Sequence, residues 1–154
     1  MEICDLLNSG SVFTALRVTS KKHALEELAR RAAELTGQPE RGIFDVLLER
    51  ERLGTTGVGR GIAIPHGKLA ALDRLHGVFA RLDPPVDFDA VDDQPVDLIF
   101  LLLAPEAAGA DHLKALARVS RLFRDAGICE QLRRLKDSEA IFKTLTARPR
   151  SDAA

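Results

Sequence analysis

The stretch from Val96 to Leu103, continued by Ala104 and closed by Pro105, limits the fold more than any other part of the chain. From Leu98 to Ala104 it is apolar without interruption, yet it is far shorter than the roughly 20 residues that cross a bilayer, so no transmembrane segment is available. A strand apolar at odd and even positions alike has both faces covered, which places it centrally in a sheet with helices above and below. The remaining sequence supplies those helices. Ser20 precedes a helical pattern of Leu25, Leu28, Ala32 and Leu35 that Gly37 and Pro39 end. A second helix runs from Pro39 or Glu40 to Arg52, with Ile43, Phe44, Leu47 and Leu48 inward and Gly54 as its breaker. A long helix starts near Asp111, carries Leu113, Leu116, Val119 and Phe123 inward and stops near Gly127. Two shorter helices cover about residues 128–135 and 138–145, the last capped by Asp137 or Ser138. Ile62–Ile64 and Val78–Ala80 read as further strands, with turns at Pro84-Pro85 and at Asp92-Asp93-Gln94-Pro95. Strict βαβ alternation is missing, so the expected fold is a single α/β domain, a mixed sheet flanked by helices on both faces.

The 154 residues suit one such domain. No repeat or linker interrupts it before residues 147–154, which lack apolar periodicity and are expected to form a disordered tail. Charges nearly cancel, 22 Lys plus Arg against 23 Asp plus Glu, which argues against a general nucleic-acid binder. With seven Phe but neither Trp nor Tyr, there is little from which to build a base-stacking platform, and the core must be aliphatic. The N-terminus has neither the basic flank nor the apolar stretch of a secretory signal, so the expected compartment is the cytoplasm. Cys4 and Cys129 have no CxxC spacing and read as ordinary thiols.

Candidate chemistry gathers around the glycine-dense segment Gly54–Gly61. It is not a P-loop, because Arg60-Gly61 stands where Lys and a hydroxyl are required, and not a dinucleotide fingerprint, because it precedes a strand and has Ile62 at the third glycine position. Glycines at this density bring backbone close to something, and an anion is one such partner. His66 leaves the Ile62–Ile64 strand into a loop, where ligand sites in open α/β sheets form. Arg50, Arg52, Arg60 and Lys68 are near it in sequence, and Gly54–Leu72 contains no acidic residue, a setting that suits phosphate. His112 stands in the first turn of the long helix, where it reads either as a solvent-exposed residue near the N-cap or as a side chain at the anion-favouring helix end. His23 and His76 have weaker contexts and read as structural or surface residues. Neither zinc-ligand spacing nor a hydrolase elbow occurs, and Asp87, Asp89, Asp92 and Asp93 read as a solvated connection.

Taken together, Arg50-Glu51-Arg52-Leu53-Gly54-Thr55-Thr56-Gly57-Val58-Gly59-Arg60-Gly61-Ile62-Ala63-Ile64-Pro65-His66-Gly67-Lys68-Leu69 resembles the active-site signature of the mannitol/fructose-type (type 2) enzyme IIA domains of the bacterial phosphoenolpyruvate-dependent phosphotransferase system. It looks most like the nitrogen-related branch of that family. Asp92–Leu98 and Asp111-His112-Leu113 match further family segments, so the resemblance spans most of residues 3–146. It implies a mannitol-type IIA fold with about five strands, His66 as phosphoacceptor through Nε2, His112 as second active-site histidine and Arg50 steadying the phosphoryl group. Thr55, Thr56, Gly57 and Lys68 would be lesser phosphate contacts. Thr55 stands where Ser is expected and Arg60 where a neutral residue is common. The chemistry implied is transfer from a phosphohistidine donor to a neutral imidazole, with cations offsetting the oxygen charge and no metal or cofactor. The implied donor is a phosphorylated HPr-type carrier, NPr-like in the nitrogen branch. Nitrogen-type members regulate by phosphorylation state, with potassium transporters and sensor kinases among their targets; a sugar-specific IIA instead passes phosphate to a IIB domain. The chain is too short to hold IIB or a membrane IIC as well. A phosphorylatable cytoplasmic regulator and a sugar-uptake subunit are therefore the two functions to separate.

Overall fold

A computed structural model describes residues 1–147. The segment expected to fray, 147–154, lies outside the described residues apart from Ala147. In chain order the elements are β1 (Val12–Leu16), α1 (Lys21–Thr36), α2 (Glu40–Arg52), β2 (Gly57–Gly59), β3 (Ile62–Ala63), β4 (His66–Leu69), β5 (His76–Val86), β6 (Val96–Pro105), α3 (Ala110–Arg124), α4 (Ala126–Arg134) and α5 (Ser138–Thr146).

The doubly apolar run is β6, central in a mixed sheet ordered β1-β5-β6-β3-β2, with β4 also paired to β6. Its side chains alternate between two cores. Ile99, Leu101 and Leu103 join the layer of α1 and α2, while Leu98, Phe100 and Leu102 join that of α3, α4 and α5. All six are essentially inaccessible to solvent, each worth about 1.5–3 kcal/mol of burial. The partners β3 and β4 run parallel to β6 on one line: Ile62 and Ala63 oppose Leu98 and Ile99, and His66 opposes Leu102. The line is broken at Ile64-Pro65, so six strands occupy five positions.

The helix caps follow the chemistry of their residues. Ser20 accepts the His23 N–H at 3.0 Å, and Asp137 accepts that of Ala140 at 3.2 Å. Asp125, not Gly127, ends α3, and its carboxylate then caps α4 by accepting the Ile128 N–H. Several expectations need correction. The glycine-dense segment is not all loop: Gly57–Gly59 forms β2, antiparallel to β3, and Gly59-Arg60-Gly61 turns between them with φ of 104°, 58° and 79°. Pro84-Pro85 lie inside β5 rather than in a turn. They are tolerated there because the register with β6 shifts between Arg81 and Val86 and pairing with β1 ends at Leu82, so no ladder N–H is required of them. Strands β1 and β4 go beyond the sequence reading. The inward face of α3 is His112, Ala115, Val119 and Phe123, whereas Leu113 is 69% exposed.

Candidate active site

Three elements converge near the C-terminal end of β6. His66 opens β4, Arg50 comes from the last turn of α2, and His112 comes from the first turn of α3. Two local features bring them together. Gly67 has no side chain, and Val46 of α2 fills that space, its Cγ1 lying 2.3 Å from where a Cβ would stand. Arg50 is one turn further along α2, so the close approach at Gly67 delivers its guanidinium to His66. On the opposite side of β4, His66 and Lys68 share a face, by strand alternation, with the layer that supplies His112.

His66 Nδ1 is 2.9 Å from the Ile64 carbonyl oxygen. A carbonyl can only accept, so Nδ1 carries the proton and Nε2 the lone pair. Arg50 Nε donates to that Nε2 at 3.2 Å, and Arg50 Nη1 donates to the Gly54 carbonyl at 2.9 Å, which fixes the guanidinium. The His112 ring meets His66 edge-on, with centroids 5.7 Å apart. His112 is buried, and its Nε2 has no hydrogen-bond partner among the described residues.

Electrostatics favour a neutral pair. Burial pushes the His66 pKa below its ordinary 6.5; the bond to Ile64 opposes this, Arg50 adds to it, and Glu51 opposes it. His112 is lowered by burial, then by His66 and Lys68. At neutral pH the site therefore presents an unprotonated nitrogen facing a fixed cation.

The other residues named from sequence are placed differently. Thr55 Oγ1 donates to the Phe88 carbonyl at 2.9 Å and accepts the Gly57 N–H at 3.0 Å. Thr56 bonds Glu51 through its hydroxyl and through its N–H, the latter at 3.1 Å. Lys68 is exposed, on the same face of β4 as His66. Arg60 turns away, its guanidinium reaching the Phe123 carbonyl at 3.2 Å near the end of α3, and Arg52 approaches Glu49 on the surface. The cationic setting thus narrows to Arg50 and Lys68. Sequence reasoning passed over Glu51, whose carboxylate is 4% exposed and pairs with Lys21 at 2.9 Å. Its signal was legible: Ile43, Leu47 and Glu51 fall at i, i+4 and i+8, one buried stripe of α2. Among the described residues no group of three or more His, Cys, Asp or Glu could hold a metal ion, and no helix is long and apolar enough to cross a membrane.

Comparison with known proteins identifies the family and the fold. The family model for the phosphoenolpyruvate-dependent sugar phosphotransferase system, EIIA 2, matches residues 5–147. A nitrogen regulatory protein of Bradyrhizobium diazoefficiens is 60% identical over 99% of this chain and 100% of its own length. That of Escherichia coli is 40% identical over 95% and 90%. The crystal structure of nitrogen regulatory protein IIA-Ntr from Neisseria meningitidis matches with a TM-score of 0.89 at 37% identity, covering 94% of this chain and 99% of that one. The fold extends to IIA mannitol from Escherichia coli, with a TM-score of 0.77 at 20% identity over 90% and 98% of the two chains. The chain belongs to the EIIA type 2 family of the phosphoenolpyruvate-dependent sugar phosphotransferase system.

Proposed function

We propose that this nitrogen-type IIA protein accepts a phosphoryl group on His66 Nε2 from a phosphorylated HPr-type carrier in the cytoplasm, and that its phosphorylation state controls partner proteins, with potassium transporters and sensor kinases as candidate targets. The observation that carries the reading is the division of labour on one ring: Nδ1–H is held by the Ile64 carbonyl, and Nε2 faces Arg50. The Nε2 lone pair attacks phosphorus, the P–N bond to the donor histidine breaks, and its electron pair returns to the donor ring. Arg50 Nε–H loses its acceptor when Nε2 bonds to phosphorus and is placed to donate to a phosphoryl oxygen instead. His112, with Nε2 unengaged beside His66, is the second donor available to those oxygens. Lys68 adds a more distant cation. Thr55, Thr56 and Gly57 hold the shape of the neighbouring loop, which keeps Gly54 and hence Arg50 in place.

Regulation is favoured over sugar uptake by the nitrogen regulatory names of relatives that match along nearly the whole chain. The test is incubation with enzyme I, an HPr-type carrier and labelled phosphoenolpyruvate. Acid-labile label is expected on the native protein and none on His66→Ala; label that survives His66→Ala overturns the assignment.

A further inference from the structure

Glu51 is a carboxylate buried one residue from Arg50, and the phosphoryl-transfer chemistry itself does not use it. On one side its oxygens collect Lys21 Nζ at 2.9 Å, the Thr56 N–H at 3.1 Å and the Thr56 hydroxyl. The Thr56 carbonyl then accepts the Ile64 N–H at 3.0 Å, and the Ile64 carbonyl accepts His66 Nδ1–H at 2.9 Å. On the other side the Glu51 backbone carbonyl accepts the Gly54 N–H at 3.1 Å. The Gly54 carbonyl accepts Arg50 Nη1 at 2.9 Å, and Arg50 Nε reaches His66 Nε2 at 3.2 Å. Both nitrogens of the imidazole are thus tied, through two short chains of bonds, to the same glutamate.

We infer that Glu51 is a positioning residue whose buried carboxylate, by clasping Thr56, fixes the Ile64 carbonyl that selects the Nδ1–H tautomer of His66, while its backbone carbonyl holds Gly54, whose own carbonyl steadies Arg50. This rests on His66 being the phosphoacceptor. Three features fit the role. A buried carboxylate is retained only where donors and a cation compensate it, and here Thr56 and Lys21 do so. Lys21 comes from the first turn of α1 and lies 4.9 Å from the centre of the Phe88 ring, whose residue supplies the carbonyl bonded by Thr55. The clasp therefore joins α1, α2, the loop after α2 and the segment after β5 at one point. The second link passes through Ile64, where the β3–β4 line is broken and the carbonyl turns to the imidazole.

Hydrogen bonding, not charge, does the positioning, so glutamine should largely replace glutamate. The experiment measures single-turnover transfer from the phosphorylated carrier together with the His66 tautomer, read from ¹⁵N chemical shifts of the ring. With Glu51→Ala the transfer rate at saturating carrier is expected to fall about tenfold or more, with the final extent of labelling intact and the ring shifted from Nδ1–H toward a mixture. Glu51→Gln should recover most of both. Wild-type rate and tautomer in Glu51→Ala overturn the inference, and so does a Glu51→Gln variant as impaired as Glu51→Ala. If Glu51→Ala does not fold, Thr56→Val, which removes one bond of the clasp, carries the test: a partial tautomer shift and slower transfer support the inference, and unchanged values overturn it. His66→Ala runs alongside. Label surviving in that variant removes the phosphoacceptor reading itself, whereas its loss beside an unaffected Glu51→Ala removes only the role of Glu51.

Discussion

Replacing Gly67 by alanine tests how the site is assembled without touching a polar group. The added Cβ would stand 2.3 Å from Val46 Cγ1, where two carbons settle at about 3.5–4.0 Å. Valine has no flexible end to swing aside. Helix α2 and strand β4 must separate locally, by more than about 1 Å if the contact is to become ordinary. Arg50 rides one turn beyond Val46 and donates to His66 Nε2 at 3.2 Å. A retreat of that size takes the pair past about 4 Å, outside hydrogen-bonding range. The expected result is a transfer rate lower by about 10- to 100-fold. Overpacking adds a stability loss of about 1–3 kcal/mol, or about 2–4 °C in melting temperature per kcal/mol for a domain of this size. Rapid-quench transfer from the labelled carrier and thermal melts followed by circular dichroism read the two effects. The double variant Val46→Ala/Gly67→Ala makes room for the new methyl and should regain most of the lost rate. Native rate and melting in Gly67→Ala, or a double variant no faster than the single one, would refute the idea that this contact sets the Arg50–His66 distance.

Arg50→Lys should slow transfer at least about tenfold without changing the carrier concentration for half-maximal rate, because one ammonium cannot serve both His66 Nε2 and the Gly54 carbonyl as the guanidinium fork does. Native kinetics in this variant would show that charge alone suffices. Stability should also depend on acidity in a defined direction. His66, His76 and His112 all have folded-state pKa values below their ordinary 6.5, chiefly through burial, so the unfolded chain takes up protons first as pH drops. Their contribution is complete above pH 6.5 and is lost as pH falls through the lower folded-state values. The melting temperature should be level above neutrality and decline below that point, less steeply in His112→Gln; a melting temperature that rises on acidification across this window would contradict the assignment.

The fold was legible wherever one short-range rule decided it. Continuous apolarity in β6, the Ser20 cap of α1 and the 3.6-residue stripes of α1 and α2 each have a local cause, and each element lies where its residues indicate. Where long-range partners decided, sequence reasoning failed. Pro84-Pro85 look like a turn because nothing local reveals a register shift that frees them from the ladder. Gly57–Gly59 look like a loop because their strand depends on the turn that folds them back on β3. In α3, Val119 and Phe123 face inward as their spacing indicates, but in the first turn Leu113 looks like the core residue because it is more apolar than His112, and His112 is the one that faces inward. Local chemistry around the candidate site was clear in type, a histidine among cations with glycines nearby. Proximity in sequence overcounted the cations, since Arg60 is drawn to the end of α3 and Arg52 to the surface. Glu51 was passed over because an acidic residue between two arginines looks solvated until the helical stripe of Ile43 and Leu47 is extended to it.

The two cores lie on opposite sides of β6, and that strand keeps the helical layers apart along most of its length. Beside its C-terminal end they meet across a single ring, with Arg50 reaching in from one layer and His112 from the other. Any change in the spacing of the layers, wherever it begins, alters two side-chain distances at this ring together. Under the proposed function, the rate of phosphoryl transfer to His66 would be a ruler laid across the thickness of the molecule.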